Sequence, residues 1–138
     1  MKKSKVVLDT NVLISGLFWM GNSHKILIAC KSKKLHLIIS PALLQELKSI
    51  LEREKKFGLT QKELERIVKT MAEIAKLVFP VKRLDIIKIH LSDNRVLECA
   101  EKGKADYIIS GDKHLTNLKM YKWIKILKPA KAVELLLP

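Results

Sequence analysis

Cysteine, glycine and proline are scarce in this sequence, and each shortage closes off a class of protein. The two cysteines, Cys30 and Cys99, lie far apart. They form neither a disulfide framework nor a zinc-binding pattern. Both fall in segments that read as helices, where they are expected to act as small buried hydrophobes in a reducing compartment. Five glycines and four prolines are too few for a collagen-like chain or a Pro-rich linker. Long hydrophobic runs are missing as well. The basic start Met1-Lys2-Lys3-Ser4-Lys5 is followed by an apolar stretch that already breaks at Asp9 and Asn11. It is too short and too polar for a signal peptide or a membrane span, so a cytoplasmic protein without membrane contact is expected.

Acids are the other minority. Fourteen Asp and Glu stand against 27 Lys and Arg, for a net charge of +13 and a pI near 9.8. That excess makes a polyanion the first partner to consider, because Lys and Arg contacts to phosphate release counterions. The 138 residues, 48% of them hydrophobic, suit one domain spanning 1–138, able to bury about two-thirds of its unfolded surface.

Short apolar runs alternate with amphipathic segments, which indicates α/β architecture. Val6-Val7-Leu8, Leu37-Ile38-Ile39 and Tyr107-Ile108-Ile109 are continuous rather than alternating, as in parallel strands covered on both faces. Leu77–Val81 and Ile124–Leu127 are weaker strand candidates. Ser40-Pro41 looks like a helix N-cap followed by Pro at the first position, opening a helix to about Lys55. Thr60 and Glu63 match a capping box, and Leu64, Ile67, Val68, Met71, Ala75 and Val78 follow at helical spacing. A further helix is expected from about Ser92 or Asp93, ending at Gly103 as the C′ residue. A short helix after Gly111 and a last one from about Ala130 complete the pattern, with Phe57-Gly58-Leu59 as the break between long helices.

The chemistry lies in where the acids fall. Asp9 ends the first strand, Glu46 sits in the second turn of the helix after the second, Asp93 opens the helix after the third, and Asp112 follows the fourth. In an open parallel sheet these places share one edge, the edge where ligands bind. Each acid alone has an ordinary explanation: a turn cap, a solvated helix flank, a helix-dipole partner, an Asp after Gly. All four at equivalent topological places do not. Four negative charges drawn together require protons or a cation, and hard oxygen ligands suit Mg²⁺ or Mn²⁺. An acidic metal site on a basic body reads as a phosphodiesterase acting on nucleic acid.

Four segments carry a family resemblance: Val7-Leu8-Asp9-Thr10-Asn11-Val12-Leu13, Ser40-Pro41-Ala42-Leu43-Leu44-Gln45-Glu46, Asp93-Asn94-Arg95-Val96-Leu97-Glu98-Cys99-Ala100, and Ala105-Asp106-Tyr107-Ile108-Ile109-Ser110-Gly111-Asp112. In order and spacing they resemble the motifs of PIN-domain ribonucleases, closest to the single-domain, VapC-like toxins of toxin–antitoxin pairs. The resemblance implies a three-layer sandwich around a parallel five-stranded sheet of order 3-2-1-4-5. It implies Mg²⁺- or Mn²⁺-dependent cleavage of RNA, with Asp9, Glu46, Asp93 and Asp112 as metal-binding acids and Asn11 and Ser110 in support. Asp106 precedes its strand and is expected at the far end, in a structural role. Many relatives carry another acid where this chain has His114, which puts a second metal ion in question and makes His114 a candidate phosphate contact.

Lys113, Lys33 and Lys34 are candidate RNA contacts, as are Lys31, Lys55, Lys56 and the series Lys119, Lys122, Lys125, Lys128. The opposing reading is a solvated surface, since 23 of the 27 bases are Lys. His24, His36 and His90 lack metal-ligand spacing and read as structural. Phe18-Trp19-Met20-Gly21 follows the first strand and could stack on bases, although packing of Trp19 and Trp123 is the simpler expectation. Leu and Ile on the two middle helices exceed what a small core needs, which suggests a homodimer or an antitoxin groove there. Three rivals remain: an RNA-processing role, a non-catalytic RNA-binding PIN module, and a phosphatase of the HAD type. The four intact acids oppose the second, and Asn11 in place of a second Asp opposes the third.

Overall fold

A computed structural model of the chain describes residues 3–87 and 91–138. Met1, Lys2, His90 and the Ser92 side chain, all of which figure in the expectations above, lie outside the described residues. The elements run β1 (Lys5–Leu8), α1 (Thr10–Phe18), α2 (Asn22–Lys31), β2 (His36–Ile39), α3 (Pro41–Arg53), a 3₁₀ turn (Lys55–Phe57), α4 (Gln61–Ile74), β3 (Lys76–Leu77), α5 (Leu91–Lys102), β4 (Tyr107–Ile109), α6 (Lys113–Thr116), β5 (Met120–Tyr121), β6 (Ile124–Leu127) and α7 (Pro129–Leu136).

The sheet order is β3-β2-β1-β4-β6-β5. Its first five strands are parallel, in the expected 3-2-1-4-5 arrangement, and helices flank the sheet. The three apolar runs are the strands β2, β1 and β4 at its centre, with Val6, Val7, Ile108 and Ile109 fully buried. The sixth strand is an addition: β5 pairs antiparallel with β6. The link between them passes through Lys122 at φ 54°. Left-handed hairpin turns normally carry Gly or Asn, so this one has no signature in the sequence.

The third strand is two residues long rather than Leu77–Val81. Val78 still donates to Ile39 O at 2.9 Å, but Pro80 offers no N–H and ends the ladder. The helical stripe also stops early, because α4 ends at Ile74 and places Val78 beyond it. Caps behave as expected at two helices. Ser40 Oγ accepts from Leu43 N, and Thr60 and Glu63 exchange both bonds of a capping box. At the end of α5 the left-handed residue is Lys104, at φ 55°, not Gly103. Gly103 is there because a Cβ would come within 2.6 Å of Ile38 Cγ2.

Both thiols are buried, and desolvation pushes each up to about 12, which keeps them inert. No large hydrophobic side chain of α3 or α4 is exposed. Their apolar faces pack on each other and on the core, so the surplus Leu and Ile do not form an open face. Four of the exposed apolar residues, Leu77, Phe79, Val81 and Ile86, lie in and just after β3, and the others, among them Trp19, Met20 and Trp123, are scattered over other elements. Among the described residues no single helix is long and apolar enough to cross a membrane.

Candidate active site

Each of the four acids reaches the carboxyl-end rim of the sheet by a local device. Asp9 directly follows β1 and caps α1, its Oδ1 accepting from Val12 N at 2.9 Å. Asp112 repeats this after β4: it caps α6, and its Oδ1 accepts from His114 N at 2.7 Å. Extended Asp before a helix is a strong cap, and the geometry fixes each carboxylate's orientation. Glu46 comes in from the second turn of α3. Asp93 lies in the first turn of α5, which starts at Leu91. Together Asp9, Thr10, Asn11, Glu46, Asp93, Val96 and Asp112 line one cavity of about 30 Å³. That is room for an ion and a water or two, not for an organic cofactor.

Ser110 connects the two central acids. Its hydroxyl donates to Asp9 Oδ2 and accepts from Asp112 N at 2.9 Å. Both oxygens of Asp9 are thereby engaged and the chain on either side of the β1–β4 seam is tied together. Asp9 is nevertheless held up, at about 6. Burial is the main cause, Ser110 and the Val12 N–H oppose it, and the charges of Asp112 and Glu46 add to it. Glu46 is also raised by burial, with the neighbouring Thr10 hydroxyl pulling the other way. That contact lacks the geometry of a full hydrogen bond, so Thr10 Oγ1 is a buried oxygen without a hydrogen-bond partner.

Metal-ligating atoms of Asp93, Asp112 and His114 lie within 4.8 Å of one another. The His114 ring Nδ1 is 3.0 Å from Asp112 Oδ1, so Asp112 gives Oδ1 to its helix cap and to His114 and has Oδ2 to offer a cation. Carboxylates crowded and partly buried at one rim, a raised Asp9, and an orphaned Thr10 oxygen fit a small hard cation, which would lower all three penalties at once.

Asn11 is exposed on the cavity lip. Lys113 sits exposed beside the site at the start of α6. Lys33 and Lys34 do not reach it. They precede β2, at the opposite edge of the sheet, where Lys33 donates to Ile74 O at 3.2 Å. Asp106 also lies at that edge and accepts from Lys5 N at 2.8 Å. Phe18 and Trp19 are carried away from Asp9 along the nine residues of α1, about 13 Å, and Trp19 meets Phe18 and Phe57 there edge-on. Trp123 donates to Ala105 O at 2.9 Å. Both indoles are about half exposed, at 53% and 49%, so packing holds one side of each.

Three contributors escaped the sequence reading. Thr10 lines the cavity. Asn94 is fully buried and makes three bonds, accepting from Ile86 N and Ile87 N and donating to Ile87 O. Glu98 accepts from Leu84 N at 2.8 Å and pairs with Arg95 at 3.0 Å. Asn94 and Glu98 thus tie the segment before α5 onto the helix that presents Asp93. The signal was their i,i+4 spacing within the motif, two polar residues stacked on one helix face.

Ser110→Ala is expected to destabilise the protein by about 1–3 kcal/mol, because it strips a buried donor from Asp9 and an acceptor from Asp112 N. Divalent-metal affinity should fall about 10- to 100-fold with it, the usual effect of losing a residue that orients ligands. Thermal melts and calorimetric Mn²⁺ titration measure the two effects separately.

A family model for the PIN domain matches residues 5–114. An uncharacterised protein of Methanocaldococcus jannaschii is 30% identical over 128 residues, 90% of this chain and 81% of that one. Among solved structures, VapBC2 from Rickettsia felis, crystallised with a DNA fragment from its promoter, superposes with a TM-score of 0.63 at 12% identity, covering 90% of this chain and 98% of the other. FitAcB from Neisseria gonorrhoeae gives 0.62 at 14% identity, with coverages of 91% and 98%. A protein of Pyrobaculum aerophilum gives 0.63 at 13%, with coverages of 97% and 89%. The structural likenesses concern the fold. The family match spans most of the sequence and includes Asp9, Glu46, Asp93 and Asp112, and on that ground the chain belongs to the PIN domain family.

Proposed function

We propose that this chain is a Mg²⁺- or Mn²⁺-dependent endoribonuclease, a single PIN domain over 1–138 that acts in the cytoplasm as the toxin of a toxin–antitoxin pair. The observation that carries the reading is the convergence of Asp9, Glu46, Asp93 and Asp112 on one small cavity. A purely RNA-binding module has no use for four acids whose mutual repulsion opposes phosphate. A divalent cation held there supplies charge neutralisation at the phosphodiester and lowers the pKa of coordinated water.

Within that chemistry the chain's own residues have distinct tasks. Asp9, Glu46, Asp93 and Asp112 would hold the cation. Ser110 keeps Asp9 and Asp112 in register, and the α1 and α6 caps prevent either carboxylate from rotating. His114 and Lys113, beside Asp112, are placed to contact phosphate. The +13 charge draws RNA toward the site. The partners in this reading are RNA, an antitoxin protein and a second copy of the chain.

Cleavage of a labelled RNA tests it. Activity should vanish in EDTA and return with Mn²⁺, and sequencing of the products should find 5′-phosphate and 3′-hydroxyl ends. Undiminished cleavage in EDTA, or cyclic-phosphate ends, would exclude the mechanism.

A further inference from the structure

A second and larger cleft, of about 400 Å³, opens between α3 and α5 beside the acid cavity. Gln45, Ser49 and Arg53 recur every four residues and form one stripe on α3, with Arg95 of α5 lining the same cleft. Glu46 borders both spaces, so the second continues the first. Its chemistry is opposite, because apart from Glu46 the polar lining consists of two guanidiniums, an amide and a hydroxyl.

Arg95 is held in place. Its Nη2 donates to Leu84 O at 3.1 Å and pairs with Glu98 at 3.0 Å. Its Nε is buried and makes no hydrogen bond, a costly arrangement for a charged donor. Arg53 is exposed in the last turn of α3 and pairs with no carboxylate among the described residues. Glu98 already offsets the charge of Arg95, so Arg53 is the cation of this cleft that no carboxylate offsets among the described residues.

We propose that this cleft binds phosphodiester groups of the RNA strand next to the scissile bond, with Arg95 as the fixed cation, Arg53 as the outer one, and Gln45 and Ser49 donating to backbone oxygens. The inference rests on the ribonuclease reading and adds the direction in which substrate leaves the acid cavity. From Glu46 to Arg53 the helix rises about 10 Å, a length covered by one or two nucleotide steps. Sequence-tolerant contacts of this kind position a strand without reading it.

The test uses the full chain and a fluorescent oligouridine in EDTA, with binding read by anisotropy over a range of salt concentrations. Arg53→Gln changes an exposed side chain and should leave the melting temperature unaltered. It is expected to weaken binding about 3- to 10-fold and to lower the log–log salt slope by roughly 0.7, the value of one phosphate contact on a single strand. Arg53→Lys should restore the slope. Lys33→Gln with Lys34→Gln, at the opposite edge of the sheet, should not change it. Equal slopes for wild type and Arg53→Gln, or an equal loss in the lysine pair, would overturn the subsite. Equal slopes in a protein that cuts RNA with Mg²⁺ would remove the subsite alone. A lowered slope in a protein that cuts no RNA with any divalent cation would keep the subsite and remove the ribonuclease reading.

Discussion

Replacing Asp9 or Asp112 by Asn should reduce RNA cleavage by at least about 10³-fold, some 4 kcal/mol of transition-state stabilisation, while the protein stays folded. The two halves of that result have separate causes. Asn keeps the shape of the side chain and the Oδ1 acceptor, so the caps to Val12 N and His114 N survive. What disappears is one unit of negative charge at the rim, with its electrostatic hold on a cation, and in Asp9→Asn also the Oδ2 acceptor of the Ser110 hydroxyl, which then meets a donor and must turn. Initial rates on a labelled RNA, with circular dichroism and melting curves on the same samples, separate chemistry from folding. A variant within tenfold of wild type would show that the acid does not serve the reaction. The effect should exceed that of Ser110→Ala, since Ser110 orients ligands and is not one itself.

The second large effect is thermodynamic and runs against the usual sign of a core substitution. Asp9 has an ordinary value of 3.8 and is held at about 6 by burial and by neighbouring acids. A carboxyl with a raised value in the folded state binds its proton more tightly folded than unfolded. Its contribution to stability is therefore full below pH 3.8, falls as pH rises, and is lost above about 6. At neutral pH the metal-free wild type should thus carry a penalty of about 1–3 kcal/mol that Asp9→Asn lacks. Asp9→Asn should melt higher than wild type at pH 7.5 in EDTA, and the difference should shrink toward pH 4. Glu63 and Glu101, held low by Thr60 and Lys122 respectively, act in the other direction, so the difference between the two proteins is the quantity to follow. Mg²⁺ should reverse the order. A ligand that binds only the folded state at 100 times its Kd adds about 2.7 kcal/mol, and the variant should gain much less. If Mg²⁺ raises both melting temperatures equally, Asp9 does not belong to the metal site.

What was legible in the sequence follows from what is local. Strand cores such as Val6-Val7-Leu8 announce themselves because a strand covered on both faces must be apolar throughout. The Ser40 cap and the Thr60–Glu63 box are legible because capping is decided within four residues. The four acids are legible as neighbours on one rim because every crossover between parallel strands returns the chain to the same edge. Hydrophobic pattern and the places of the acids therefore pointed to a parallel sheet and to the candidate site, whereas the strand order was carried by the resemblance to PIN-domain ribonucleases.

Contacts distant in sequence were decided only by the tertiary structure. Gly103 looks like a left-handed helix stop, yet it is a glycine because Ile38 packs against it. Lys104 and Lys122 take left-handed turns that no propensity assigns to Lys, since the sheet and helix on either side over-determine them. Lys33 and Lys34 are as basic as Lys113 in the sequence, but one turn of topology puts them on the wrong edge. The bond from Ser110 to Asp9 spans 101 positions, and the cleft shared by Arg53 and Arg95 exists only where α3 crosses α5. Charge, caps and hydrophobic periods act over a few residues and are written in the chain; the partner of a buried polar group is chosen by packing, which brings together residues that the sequence keeps apart.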